Sequence, residues 1–215
     1  MVILIDAGHG KQVSGKQSPL LKGSGIDVGE EFKENDRFRE WKYTRVISDL
    51  VVLLLKDMGY DARLLVPETN DVSLGERVRR TNNICSKYGA KNVILVSIHA
   101  NAVGNGSEWM NGKGWETYST VGKTISDDLA ECLYKRAEEN FKNRKIRKDT
   151  TDGDSDKESN FYIIKNANCA AVLTENFFYD NKDDLEFMVS EQGIHEVVRT
   201  HVEGILDYID AKKKK

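Results

Sequence analysis

Short β-branched apolar runs, each separated from the next by a helical pattern, constrain this chain more than any other feature. Val2–Ile5, Ala62–Val66, Val93–Ile98, Phe161–Ile164 and Ala171–Thr174 are nearly continuous in apolar residues. Such runs predict strands buried on both faces. Gly114–Ser119 alternates and predicts one more strand. Between them, Tyr43, Val46, Ile47, Leu50, Leu53, Leu54 and Met58 recur at helical spacing over Glu40–Met58, and Gly59 is a natural stop. Ser73 is placed to cap a helix running to Lys87, with Glu76 completing a capping box. Ser126–Phe141 predicts a third helix, and Leu185–Ile209 one or two more with a break at Gly193. The alternation predicts an α/β fold: a single layered domain with a largely parallel twisted sheet of about six strands, flanked by helices.

The 215 residues contain two prolines and no low-complexity linker, so one domain is expected over 1–211, followed by a lysine tail at 212–215. Net charge is −3, and the body without that tail is more acidic still. This argues against nucleic-acid binding, which calls for a basic stripe. No apolar stretch approaches the ~20 residues of a membrane span, so no membrane insertion is expected. The N-terminus MVILIDAGHG enters a strand at once and carries no export signal. Cys85, Cys132 and Cys169 are odd in number and widely spaced, which predicts buried free thiols rather than a disulfide framework or a cysteine-rich zinc site.

In a parallel sheet, sites form where loops leave the carboxyl ends of strands. His9, His99 and Glu175 each sit just after an apolar run. Gly8 and Gly10 let the chain turn sharply around His9. Each histidine alone also suits a hydrogen-bonded packing role. Together, two strand-end histidines favour a catalytic zinc, which takes three nitrogen or oxygen ligands and leaves one position for water. The third ligand is open among Asp27, Glu30, Glu31, Glu34 and Glu40. Spacing does not choose among them. Glu40 is favoured because a helix start fixes a side chain better than the charged, glycine-containing stretch before it, which reads as a mobile loop. Glu175 is a candidate general base, or else the partner of a nearby Lys or Arg. His195 and His201 lie in helical sequence and read as surface or packing residues.

Asp152, Asp154 and Asp156 have calcium-loop spacing, but Lys157 and Ile163 stand where that loop needs Gly and Glu, so no calcium site is expected. Asn143–Asn160 reads as a loop beside the substrate groove. Trp109, Trp115 and Tyr118 are better explained by packing than by stacking on sugars.

At this point the residues resemble a family. ILIDAGHG, EWKYTRVISDLVVLLLKDMGY, SLGERVRRTN, VSIHANA, GWETYS and AVLTENFFYDN follow one another as the motifs of the zinc-dependent N-acetylmuramoyl-L-alanine amidases of amidase type 3 do, over nearly the whole chain. The resemblance implies Zn²⁺ on His9, Glu40 and His99, with Glu175 as catalytic base. It also implies Leu74, Arg77 and Asn82 on one helix, and Asn176 and Asn181 in the loop after the last strand. Asp6 or Asn101 is expected to orient a ligand. The implied substrate is peptidoglycan, cut between N-acetylmuramic acid and L-alanine, by a monomer acting on the bacterial wall after phage-type release or as a trimmed secreted enzyme. A zinc carboxypeptidase acting within the stem peptide and a non-catalytic wall-binding module are the alternatives. Two departures stand out. KQVSGKQSPLLKGSGIDVG replaces the family's short Gly-x-Asp-Pro-Gly segment, and Ala171 replaces a Pro.

Overall fold

The structure, a computed structural model, describes residues 1–214 except 152 and 154. In chain order the elements are β1 (Val2–Ala7), β2 (Lys33–Glu34), β3 (Arg37–Phe38), α1 (Glu40–Asp57), β4 (Asp61–Leu64), α2 (Leu74–Tyr88) and β5 (Val93–Asn101). They continue with β6 (Glu116–Ser119), α3 (Asp127–Asn140), β7 (Lys157–Glu158), α4 (Tyr162–Lys165), β8 (Ala170–Phe178), α5 (Lys182–Val189) and α6 (Glu191–Lys213). The main sheet has the order β4-β1-β5-β8-β6-β7. The first four strands are mutually parallel, β6 runs antiparallel to β8, and β7 is parallel to β6. The sheet is therefore largely parallel and six-stranded, as the sequence predicts.

The central strands show no alternation in sequence because both of their faces are covered. Ile3, Ile5, Ile94, Val96 and Val172 pack in one core layer with residues of α1, α3 and α6. Leu4, Leu95 and Leu173 point the other way, into a smaller layer with residues of α2 and α4. Helix α1 buries Tyr43, Ile47, Val51 and Leu55, every fourth residue of one face, and Gly59 follows its end at φ 87°.

Several expectations are corrected. Phe161–Ile164 is not a strand: Tyr162–Lys165 forms one helical turn. Ile163 and Ile164 are adjacent yet both join the layer under α2, which a strand forbids by sending neighbours to opposite faces. The sixth strand is instead the charged pair Lys157–Glu158 at the sheet edge, which no hydropathy pattern marks. The break between the last two helices falls at Ser190, whose hydroxyl accepts from Gly193 N at 2.9 Å. The stretch before Glu40 leaves Asp27, Glu30 and Glu31 exposed, as a charged loop would, but Leu21, Ile26, Val28 and Phe32 anchor it in the main core. The calcium-like spacing at Asp152 and Asp154, and Lys215 of the tail, lie outside the described residues.

His201 on α6 is fully buried. Its Nδ1–H donates to the Val197 carbonyl at 2.7 Å, and Nε2 faces the Thr174 hydroxyl at 2.9 Å. Burial holds its pKa down at about 4, against the raising effect of the Val197 bond. The neutral ring therefore stabilises the fold in full above about pH 6.5, and this contribution is lost as pH falls toward 4, by roughly 3 kcal/mol in all. Urea midpoints at pH 7.5 and 4.5 should drop less in His201→Gln than in the wild type. Equal drops would show that His201 does not titrate in this way.

Candidate metal centre and active site

The site begins where β1 ends. Gly8 N donates to the Ile98 carbonyl at 2.9 Å, and the chain then turns through His9, which itself adopts φ 58°. The flanking glycines are needed for close approach rather than for that turn. A Cβ on Gly8 would lie 2.5 Å from His99 Nδ1, and one on Gly10 would lie 2.2 Å from the Asp71 backbone. Glu40 opens α1, with its carboxylate at the positive end of the helix. The Thr44 hydroxyl donates to the Gly8 carbonyl at 2.9 Å, and this buried bond ties the first turn of α1 to the His9 loop.

These elements bring His9, Glu40 and His99 together, with one ligand atom from each lying within 4.8 Å of the others. His9 Nε2 is 3.5 Å from Glu40 Oε2, and His99 Nδ1 is 3.3 Å from Glu40 Oε1. Ala100 N donates to Oε1 at 3.0 Å. The two imidazoles meet edge to face, 5.0 Å between centroids. Of the five acids open as third ligand, only Glu40 is here. Glu30 pairs with Lys33, Glu34 lies near Arg39, and Asp27 caps its own turn at Gly29.

Glu175 sits on β8 directly across from His99 on β5. Among the described residues it forms no ion pair, and its buried Oε2 has no hydrogen-bond partner. Glu40 Oε2 is likewise buried without one. Burial pushes Glu175 up to about 8, countered by His99 and reinforced by Glu40. Burial also carries His9 down to about 4, despite Glu40. For Glu40, burial works upward, but the His99 hydrogen bond and the His9 charge outweigh it and leave the carboxyl below its usual range. Orphaned carboxylate oxygens are costly in such a place. Two imidazoles, a carboxylate and unsatisfied oxygens beside them are a donor set that fits a divalent zinc.

The cleft at this point has a volume of about 240 Å³ and is lined by His9, His99, Asp71, Leu74, Arg77 and Ile163, among others. The sequence profile of the N-acetylmuramoyl-L-alanine amidases matches residues 3–207.

The chain belongs to this family of peptidoglycan amidases.

It is 27% identical over 222 residues to the endolysin of Bacillus phage SPP1, covering 99% of this chain and 68% of that protein. It is 30% identical over 210 residues to the N-acetylmuramoyl-L-alanine amidase CwlM of Bacillus licheniformis, covering 94% and 66%. The chain thus spans about two thirds of the length of these relatives. The crystal structure of an N-acetylmuramoyl-L-alanine amidase from Clostridium difficile 630 superposes with a TM-score of 0.71 at 26% identity, over 98% of this chain and 97% of that one.

In this amidase neither Asp6 nor Asn101 is hydrogen-bonded to His9, Glu40 or His99 among the described residues. Asp6 is buried and bonded to Arg77 and to the Ser97 hydroxyl, at 2.7 and 2.6 Å. Asn101 donates to Glu116 at 2.7 Å. Asn176 is within β8 rather than in the following loop, because the strand continues to Phe178. From its face, opposite to that of Glu175, it donates to the His99 carbonyl at 2.8 Å and accepts from Trp115 Nε1 at 2.9 Å. Asn181 caps α5 through Asp184 N. Trp115 is fully buried against Tyr134 and Phe141, a packing role.

Sequence reasoning gave no role to Thr44 or Glu116, and reached Arg77 only through the family motif, which places Leu74, Arg77 and Asn82 together on α2. The signal for Glu116 was present as a charge in an alternating strand.

Proposed function

We propose that this amidase hydrolyses the amide joining the lactyl group of N-acetylmuramic acid to L-alanine, with zinc held by His9, Glu40 and His99 and with Glu175 as general base. The clustering of those three donors beside the orphaned Glu175 oxygen carries this reading. A zinc ion in such a site supplies Lewis acidity, making a water acidic near pH 7 and polarising a carbonyl. Glu175 Oε2 takes the proton from the attacking water and then returns it to the departing L-alanine amine. Its free oxygen is suited to this because no protein donor competes for it. His99 and Glu175 are paired across β5 and β8, so the sheet would hold one metal ligand and the base side by side. All four groups come from one chain, which supports action as a monomer. The wall is the place of action that this substrate implies, and among the described residues no helix is long and apolar enough to cross a membrane.

The test is digestion of purified sacculi by metal-replete protein, with and without chelator, followed by mass spectrometry. Stem peptides with a free L-alanine amine should be released, chelator should stop release, and added zinc should restore it. Cleavage within the stem would mean a carboxypeptidase instead. Binding to sacculi without any release would mean a wall-binding module.

A further inference from the structure

Glu175 does not stand alone on its face of the sheet. The register places His99 on β5, Glu175 on β8 and Glu116 on β6 side by side in one row. Glu116 is buried, and its carboxylate is fully occupied. Oε1 accepts from Asn101 and the Tyr118 hydroxyl at 2.7 and 2.9 Å, and Oε2 from Arg147 Nε and Lys157 Nζ at 2.7 and 2.8 Å. One buried anion thus holds two cations, leaving an excess positive charge one strand outward from the proposed base.

The segment that carries Arg147 is anchored there by backbone bonds. Trp115 N donates to the Lys145 carbonyl and Arg147 N to the Trp115 carbonyl, at 2.9 and 2.8 Å. The guanidinium also lies over the Phe178 ring, 5.3 Å from its centroid. Its plane is therefore fixed by Nε on one edge and by the ring on one face. Among the described residues, neither Nη atom has a hydrogen-bond partner, and the side chain is 30% exposed. A held guanidinium with its fork unused is the geometry for bidentate capture of a carboxylate.

We propose that Arg147, supported by Lys157 and positioned by Glu116, is a specificity subsite for a free carboxylate on the peptide leaving group, close to the scissile amide. The proposal rests on the amidase reading above and adds the charge of the peptide that the site selects. A carboxamide at the same place offers one acceptor and no charge, and leaves the fork unmatched.

The test compares two N-acetylmuramoyl dipeptides that differ only in a free carboxylate or a carboxamide on the second residue. The wild type should favour the carboxylate substrate by about 10- to 100-fold in kcat/KM, mostly through KM. Arg147→Met should collapse that preference, and Arg147→Lys should recover part of it. Lys157→Met should weaken it independently, and covers the case in which Arg147→Met folds poorly on a thermal melt. Equal turnover of both substrates by the wild type, or an undiminished preference in folded Arg147→Met, would overturn the subsite and leave the amidase reading standing. Failure of the wild type to cut either substrate would sink both.

Discussion

Glu175→Gln should bind zinc as the wild type does and lose turnover by roughly 10²- to 10⁴-fold. The substitution keeps the shape of the side chain and removes only its capacity to take a proton. It breaks no contact in the described residues, since Glu175 forms no ion pair and its Oε2 has no partner. A carboxyl held above its usual range by burial is also one whose ionised form the fold disfavours, so the neutral amide should leave stability equal or slightly higher. The contrasting variant is His99→Ala, which removes a donor atom and should lose zinc and turnover together. It also takes away the imidazole facing Glu40 Oε1, leaving that oxygen the Ala100 amide alone. Metal content by elemental analysis and peptide release from sacculi separate the two outcomes. Turnover retained in Glu175→Gln would remove Glu175 from the base role, whatever its zinc content.

The two histidines were legible because strand ends in a parallel sheet are fixed by hydrophobic burial, and burial is written into the apolar runs that precede them. Glu40 was legible for a different reason: a helix start is marked by the onset of the apolar stripe at Tyr43 and Ile47. What failed to show has physical causes too. Lys157–Glu158 pairs at a sheet edge through its backbone, so its side chains carry no pattern. Tyr162–Lys165 is too short for its period to be read, and the four apolar or aromatic residues Phe161–Ile164 suit one helical turn as well as a strand. The insertion after His9 lacks any period. Yet Leu21 and Val28 are buried, and Arg37 clamps the loop by donating to the Ser18 and Gly106 carbonyls at 2.7 and 2.6 Å. Contacts of that kind join residues distant in the chain, and no local spacing announces them.

Arg77 is the clearest such case, and its loss should be among the most damaging single changes. Arg77 is buried, 2% exposed, and its guanidinium reaches five separate backbone or side-chain groups, Asp71 Oδ1 at 3.5 Å among them. Nη1 donates to Asp6 Oδ1 and to the Ala7 carbonyl, both at 2.7 Å, Nε donates to the Val72 carbonyl at 2.8 Å, and Nη2 lies 3.5 Å from the His9 carbonyl. One residue of α2 therefore holds the end of β1 and the loop that aims His9. Arg77→Met keeps the length of the stem but leaves Asp6 buried with only the Ser97 hydroxyl to meet its charge. Breaking a buried pair from one side costs about 3–5 kcal/mol, which in a domain of this size lowers Tm by roughly 10 °C. Adding Asp6→Asn should restore part of that loss, because the unpaired charge is gone while the carbonyl contacts remain broken. Zinc affinity should fall as well, by about 10- to 100-fold, since the group that fixes the His9 loop is missing. Thermal melts of the two single variants and the double variant, each with a zinc titration, test both statements. If Arg77→Met melted with the wild type, the Asp6–Arg77 pair would not be what secures the first histidine.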